Sequence, residues 1–332
     1  MFKTESAAHA LYADVKTVGI PRALMYYRYK TLWKTFFEEL GRTVVLSEPT
    51  NRELFEKGDL ASVDECCLAS KIYMGHAESL LDSCDAIFVP NYTNVGRRQS
   101  FCTKFQALPD LVTNTFHAQN PRIISCLVDE VQSGLTMRQT FEELALEFGV
   151  TKKEAKRVTK RAFSAYAQEN ERYCEKQRKL MDANYAIASE KRPLSILVAA
   201  HPYVIHDPFI GGPVSETLEQ MGICALYTDG VNPEKALNKS QEFSATLPWI
   251  VNREIIGAIL TLYKHIDGII LVSAFPCGPD SMTNDAITRN ITGKPTLTLT
   301  VDAQSGTAGL ETRIESFVDI LRYQKEGGYF HE

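Results

Sequence analysis

Residues 17–46 read TVGIPRALMYYRYKTLWKTFFEELGRTVVL, and this stretch decides the class of fold. The first four residues are a short apolar run that Pro21 ends, which indicates a β-strand. Apolar side chains then recur at steps of three and four residues, as on a helix with one buried face: Tyr29, Leu32, Trp33, Phe36, Phe37 and Leu40. Gly41 suits the left-handed backbone that ends many helices, and residues 43–46 are again typical of a strand. The stretch therefore predicts a β-α-β unit.

The same alternation continues toward residue 130. A helix is expected around residues 71–81, and strands are expected at residues 86–90 and 122–128. Strands that alternate with helices favour a parallel, doubly wound sheet. This first series defines an N-terminal lobe over residues 1–150, which carries Cys67 and Cys102.

A long helical pattern without Gly or Pro runs from Lys152 to about Lys191, and Pro193 ends it. A second α/β series follows, with strands expected at residues 194–199, 223–227, 268–273 and 296–300. Between these strands, helices are expected at residues 214–221, 253–264 and 280–290, and a closing helix at residues 308–324. We therefore predict a helical connector at 151–192 and a C-terminal lobe at 193–332, which carries Cys277. The fold class is α/β, with two lobes that each hold a mostly parallel sheet of about four strands.

Composition and charge exclude several classes of function. The 332 residues are 44% hydrophobic and 23% charged, as in an ordinary globular protein, and the net charge of -5 gives no general attraction to nucleic acid. Apolar runs are too short to cross a bilayer, and the first residues lack the apolar segment of a signal peptide, so a cytoplasmic protein is expected. Eight cysteines in a reducing compartment are more typical of buried residues or metal ligands than of disulfides.

Three cysteines occupy positions that favour chemistry. Cys277 lies directly after an apolar strand and before a helix, where the helix start is expected to lower the pKa of its thiol. Cys102 lies in a loop after a strand and beside Lys104, and Cys67 lies at the start of a helix near Lys71. Their wide spacing matches no compact zinc or ferredoxin motif, so spacing alone leaves a shared metal site open.

The remaining candidates are weaker. Small buried side chains are the simpler interpretation of Cys84, Cys126, Cys174 and Cys224, whereas Cys66 adjoins a ligand candidate. His201 and His206 follow the first strand of the second lobe, where hydrogen-bonded loop histidines are the simpler interpretation. Residues 211–213, Gly-Gly-Pro, could present N–H groups to an anion, but the chain has no GxGxxG, Walker or GxSxG motif.

Several segments, in order, resemble the domain of 2-hydroxyacyl-CoA dehydratase activase-related proteins over about residues 17–322. They are VGIPRALMYY (18–27), LWKTFFEELG (32–41), DECCLASKIYMGH (64–76), FCTKFQALPDLV (101–112), HPYVIHDPFI (201–210), FPCGPDSM (275–282) and DAQSGTAGLETRIESFVDIL (302–321). That domain is similar to 2-hydroxyacyl-CoA dehydratase subunits and to double-cubane cluster proteins. The resemblance implies two Rossmann-like lobes with an oxygen-sensitive 4Fe-4S cluster between them, bound by Cys67, Cys102 and Cys277.

The resemblance also implies a role in low-potential electron transfer or in reduction of a small substrate. The chain lacks the ATP-hydrolysing activase module of longer relatives, so a separate ATPase activase or another low-potential donor is expected as a partner. Residues 301–306 depart from the acidic, histidine-containing form of the family, whereas Glu48 and Thr50 occupy the region of the dehydratases' substrate residues.

Several alternatives stay open at this level. A double-cubane cluster would need further ligands, for which Cys66, Cys126 and His201 are candidates, and a homodimer could share a cluster. The protein could instead be a non-catalytic cluster carrier, or a two-lobed small-molecule-binding protein in which the cysteines are incidental.

Overall fold

The computed structural model describes residues 10–302 and 307–328, which form two compact units. Unit 1 contains the described residues up to Glu48, together with Glu53–Ser62 and Ile72–Glu169. Unit 2 contains Pro49–Arg52, Val63–Lys71 and the described residues from Asn170 onward. Two short segments from the first half of the chain therefore belong to unit 2.

Unit 1 is built on a four-stranded parallel sheet of order β2-β1-β3-β5, beside a smaller parallel pair, β4 and β6. The strands are β1 (Thr17–Ile20), β2 (Thr43–Leu46), β3 (Ala86–Phe88), β4 (Asn91–Asn94), β5 (Ile123–Ile124) and β6 (Leu127–Asp129). The helices in this part of the chain are α1 (Tyr26–Glu39), α2 (Arg52–Leu60), α3 (Leu68–Glu78), α4 (Thr103–Gln106), α5 (Leu108–Thr115), α6 (Glu130–Ser133), α7 (Met137–Glu147) and α8 (Lys152–Tyr185). The starts of α2 and α3 and the second half of α8 belong to unit 2. A 3-10 turn covers His117–Gln119.

The core of unit 1 is rich in aromatic side chains from α1. Phe37 packs edge-to-face on Phe88 of β3, with ring centroids 5.0 Å apart, and Phe36 packs in the same way on Phe141 of α7 at 5.1 Å. Such edge-to-face pairs add to the hydrophobic stabilisation of a core. Gly41 ends the helix with φ +73°, a backbone conformation that other residues rarely adopt.

Unit 2 holds the second four-stranded parallel sheet, of order β10-β9-β7-β8. Its strands are β7 (Ser195–Ala199), β8 (Cys224–Tyr227), β9 (Gly268–Ala274) and β10 (Thr296–Val301). Its helices are α9 (Pro202–Ile205), α10 (Gly212–Gln220), α11 (Pro233–Ser240), α12 (Ile250–Leu262), α13 (Gly278–Asn290) and α14 (Thr307–Lys325), with 3-10 turns at Thr228–Gly230 and Tyr263–His265. All seven residues of β9 and all five of β7 are buried, as expected where helices cover both faces of a parallel sheet.

The predicted α/β class, with two parallel sheets of four strands, is confirmed. The strands at 17–20 and 43–46 have the predicted bounds. The strand predicted at 122–128 is wrong in detail, because residues 125 and 126 leave one sheet and residues 127–129 pair with β4. The long helix is continuous but ends at Tyr185 rather than near residue 191. No helix among the described residues is long and apolar enough to span a bilayer.

A buried polar pair lies beside the sheet of unit 1. His76 of α3 is fully buried, and its Nδ1 lies 2.8 Å from the Ser47 hydroxyl, which also accepts a hydrogen bond from the backbone N–H of Arg22. Burial lowers the pKa of His76 from 6.5 to about 4, and the nearby Arg22 guanidinium acts in the same direction. The ring is therefore neutral in the folded protein near neutral pH.

We expect His76 to make the protein less stable in acid. Between pH 6.5 and about pH 4 the unfolded chain binds a proton at this ring that the folded chain does not, so its contribution, present above pH 6.5, is lost as the pH falls. The full effect is about 3 kcal/mol in the free energy of unfolding. Denaturant titrations at pH 7, 5 and 4 should show a shallower pH dependence for His76→Gln than for the unmodified protein.

His117→Gln is the matched control, because His117 is exposed. Its pH profile should follow that of the unmodified protein. Equal pH profiles for His76→Gln and the unmodified protein would contradict the conclusion that burial lowers the pKa of His76.

Candidate functional site

Cys277 lies where the buried strand β9 passes into helix α13. The N–H of Cys277 donates to the carbonyl oxygen of Ala274, and Cys277 is the N-cap residue of the helix. Gly278 and Pro279 begin the first turn, where Pro is favoured because its missing N–H needs no partner. The thiol is half-buried at the carboxyl end of the sheet, the edge at which open α/β sheets bind their ligands.

Cys67 lies next to this turn in unit 2. It directly precedes α3, and its carbonyl oxygen accepts hydrogen bonds from the N–H groups of Ser70 and Lys71. The next residue, Leu68, donates its N–H to the carbonyl oxygen of Phe275 at 2.8 Å. This contact joins the start of α3 to the end of β9, and Cys67 is close enough to affect the pKa of Cys277. The structure thus brings together two of the three cysteines that the sequence singles out.

The expected lowering of the Cys277 pKa is wrong. Burial raises the pKa of this thiol above its usual value, and the Asp280 carboxylate raises it further. The backbone N–H of Asp280 acts in the opposite direction, but Cys67 and the Asp280 side chain both favour the protonated thiol. The helix start is therefore outweighed by desolvation and by a neighbouring negative charge. Without a cation the Cys277 thiol keeps its proton at neutral pH.

Asp280 belongs to a buried polar network within unit 2. Its Oδ1 lies 2.8 Å from Nε2 of His201 and accepts a hydrogen bond, also 2.8 Å, from the side-chain amide of Asn252. A carboxylate only accepts, so the His201 Nε2–H is the donor. Burial alone would raise the pKa of Asp280, but His201, Asn252 and Cys277 together hold it below its usual value. The carboxylate is therefore ionised in the interior.

This network is incomplete among the described residues. Asp280 Oδ2, His201 Nδ1 and Asn252 Oδ1 are buried atoms without a hydrogen-bond partner. The three residues are 4%, 5% and 2% exposed. Buried polar atoms are nearly always paired in folded proteins, so each of these atoms requires a physical explanation.

Cys102 belongs to unit 1. It is half-buried and is the N-cap residue of α4, and its carbonyl oxygen accepts a hydrogen bond from the N–H of Phe105. An antiparallel bridge between Asn94 and Ser100 shapes the loop that leads to it. Cys67, Cys102 and Cys277 therefore share one local setting, a half-buried thiol on the residue that precedes a helix.

The other cysteines differ from these three. Burial raises the pKa of Cys84, Cys174 and Cys224, in the case of Cys174 to about 11, as it does for Cys277, but none of these three residues directly precedes a helix. Cys126 is buried between β5 and β6, and burial raises its pKa to about 12. Cys66 is buried and, like Cys67, precedes α3.

No group of three or more His, Cys, Asp and Glu side chains in the described parts of the chain could hold a single metal ion. The thiolates of a cubane bind different iron atoms and lie farther apart than the ligands of one ion. The described side chains therefore do not by themselves show a metal site.

The remaining sequence candidates have structural partners. His206 Nε2 lies 2.6 Å from Asp229 Oδ2, so this loop histidine is hydrogen-bonded. The N–H groups of Gly211 and Gly212 both donate to the carbonyl oxygen of Asp207, which leaves neither for an anion. Thr50 donates its hydroxyl to Asp207 Oδ2 at 2.5 Å. Of the segment 301–306, residues 303–306 lie outside the described part of the chain.

Sequence reasoning missed the network around Asp280. Two signals could have indicated it: Asp280 follows Cys277 by three residues at a helix start, and Asn252 interrupts the apolar pattern of α12. Neither signal predicts that His201, far away in the sequence, completes the network. That contact depends on the neighbouring positions of β7 and β9 in the sheet.

Similarity to solved structures is weak. A periplasmic metal binding protein from Candidatus Liberibacter asiaticus aligns over 92% of this chain and 99% of its own, with 13% identity and a TM-score of 0.25. Glucosamine-6-phosphate deaminase from Thermotoga maritima aligns over 93% of this chain and 84% of its own, with 10% identity and a TM-score of 0.22. At these TM-scores the likenesses carry no argument.

No curated protein matches this chain. A family does match it, over residues 17–231, which include Cys67, Cys102 and most of the chain. Its description is "CoA enzyme activase uncharacterised domain (DUF2229)". Because the match spans more than half of the chain, the protein belongs to this CoA enzyme activase domain family.

Proposed function

We propose that this protein binds an oxygen-sensitive 4Fe-4S cluster through Cys67, Cys102 and Cys277 and serves in low-potential electron transfer or reduction. The main support for the proposal is that Cys67 and Cys277 lie close together at the carboxyl end of a buried parallel sheet. Family membership supports a role connected with CoA enzyme activases. The sequence resemblance to dehydratase subunits and double-cubane proteins supports the assignment of an iron-sulfur cluster to these three cysteines.

The residues present in unit 2 fit such a cluster. Two neighbouring thiols lie beside a buried, ionised carboxylate that has an unpartnered oxygen, so the site favours a positively charged occupant. Iron would replace the thiol protons. Its positive charge would offset the burial and the negative charge of Asp280, which together raise the pKa of Cys277. Cys102 shares the local setting of the other two cysteines, which supports it as the third ligand.

When bound, the cluster would supply one-electron chemistry at low potential. The chain would contribute the three thiolates, and the buried residues around Cys277 would limit access of water to that side of the site. Phe275 and Met282 flank the turn and are 53% and 66% exposed, so an apolar surface adjoins it. We propose that an ATPase activase, or another low-potential donor, is a separate partner, and that the protein acts in the cytoplasm, where its thiols stay reduced.

We expect Cys67→Ala, Cys102→Ala and Cys277→Ala each to lower the iron bound after anaerobic reconstitution with iron and sulfide. The unmodified protein should hold about four iron atoms per chain, and each variant less than about one, because each loses a thiolate ligand. Iron and sulfide analysis with visible absorption before and after exposure to air measures the effect, and the absorption should fade in air.

Cys174→Ala and Cys224→Ala are the controls, since Cys174 lies within α8 and Cys224 within β8 and neither precedes a helix as the proposed ligands do. They should keep the iron content of the unmodified protein. Full iron content in any of the three ligand variants, or no iron in the unmodified protein, would contradict the proposal.

A second prediction concerns the size of the cluster. Because Cys66 and Cys67 both precede α3, no helical geometry turns their side chains apart, and Cys66 stays a candidate for a double cubane. We nevertheless expect one cubane, because Cys126 is buried between β5 and β6 and does not precede a helix as the three proposed ligands do. The double variant Cys66→Ala, Cys126→Ala should hold about four iron atoms per chain, as should the unmodified protein.

About eight iron atoms in the unmodified protein, reduced in this double variant, would instead establish a double cubane. The size of the purified complex, measured with and without cluster, distinguishes these outcomes from a cluster shared by two chains.

A further inference from the structure

The carboxylate of Asp280 is satisfied on one side only. Oδ1 accepts hydrogen bonds from His201 and Asn252, whereas Oδ2 is buried and has no hydrogen-bond partner among the described residues. A buried carboxylate oxygen without a partner is unfavourable in the interior of a protein. His201 and Asn252 hold the carboxylate in one orientation, which makes Oδ2 available to a ligand of positive charge.

The position of Asp280 relative to Cys277 supports a common ligand. The two residues are separated by Gly278 and Pro279 at a helix start, the spacing at which CxxC pairs bind one iron-sulfur cluster. The Cys277 thiol also lies beside the Asp280 carboxylate. A carboxylate in the last position of such a pair offers iron an oxygen in place of a thiolate sulfur.

A structural role alone explains the network less well. A helix-capping Asp uses its oxygens to accept from N–H groups of the first turn. Asp280 instead pairs with two buried side chains from α12 and from the residue before α9. The network leaves one carboxylate oxygen of Asp280 unpartnered, and packing of α13 does not explain why that oxygen is buried.

We propose that Asp280 is the fourth protein ligand of the cluster, bound through Oδ2 to the iron atom that the three thiolates leave open. This inference rests on the proposed iron-sulfur function. His201 and Asn252 are positioning residues that fix the carboxylate through Oδ1. A single carboxylate oxygen is a weaker ligand for this iron than a thiolate, so a substrate or a stronger ligand can displace it. With Asp280 bound, the protein would supply all four ligands, and this carboxylate would be the ligand that a substrate displaces.

The test compares Asp280→Asn and Asp280→Cys with the unmodified protein after anaerobic reconstitution with ⁵⁷Fe and sulfide. Mössbauer spectra report whether one iron differs from the other three, and iron analysis during mild oxidation with ferricyanide reports how fast that iron is lost. Asp285→Asn is the matched control, because Asp285 is exposed on the same helix and forms an ion pair with Arg289.

The unmodified protein should show one distinct iron site. Asp280→Asn should change the spectrum of that site and lose its iron at least about tenfold faster, since even loss of a residue that only orients a ligand typically weakens metal binding by about ten- to hundredfold. Asp280→Cys should make the four irons alike and retain all of them during oxidation. Asp285→Asn should match the unmodified protein in both measurements.

The outcomes separate this inference from the proposed function. No cluster in the unmodified protein would overturn both. A cluster that is present but unchanged in Asp280→Asn and Asp280→Cys would overturn the inference and leave the proposed function standing. The free energy of unfolding of the cluster-free variants shows whether the fold is intact, and spectra are compared only between folded proteins. If Asp280→Asn does not fold, Asp280→Cys decides: three retained irons after oxidation overturn the inference and four support it.

Discussion

The backbone of Phe275 holds the candidate site of unit 2 together. Its N–H donates to the carbonyl oxygen of Val301 at the end of β10, and its carbonyl oxygen accepts from the N–H of Leu68 at the start of α3. Because β9 is buried along its whole length and pairs on both sides, Phe275 has little freedom to move. Cys277 follows Phe275 by two residues, and Cys67 directly precedes Leu68, whose N–H donates to the carbonyl oxygen of Phe275. Their proximity follows from hydrogen bonding of the main chain.

Electrostatic interactions and burial determine the protonation states of the side chains in that site. Burial and a neighbouring carboxylate keep the Cys277 thiol protonated, while buried donors keep Asp280 ionised. A protonated thiol and a half-satisfied carboxylate are both stabilised by a cation, which displaces the proton of one and pairs with the other. The raised pKa of Cys277 follows first from burial and second from the negative charge of Asp280. A nucleophilic thiol would require the opposite environment.

Two buried polar clusters differ in how completely their side chains are paired. In unit 1, His76 and Ser47 satisfy each other, so burial keeps the ring neutral and the pair contributes to stability near neutral pH. In unit 2, His201 and Asn252 both bind one oxygen of Asp280 and leave the other oxygen without a partner among the described residues. Pairs of the first kind stabilise a fold, whereas an unsatisfied group of the second kind is typical of functional sites.

The sequence by itself determined the alternation of strands and helices, the bounds of β1 and β2, and the positions of Cys67 and Cys277 at helix starts. These features depend on local periodicity, on Pro and Gly, and on the apolar runs of buried strands. Only the tertiary structure decided that residues 125 and 126 divide a predicted strand between two sheets, that Cys67 lies with unit 2, and that His201 and Asn252 meet Asp280. Those outcomes depend on strand order and on the desolvation of side chains brought together from distant parts of the chain. For the same reason the pKa of Cys277 is raised although its helix position alone predicts the reverse.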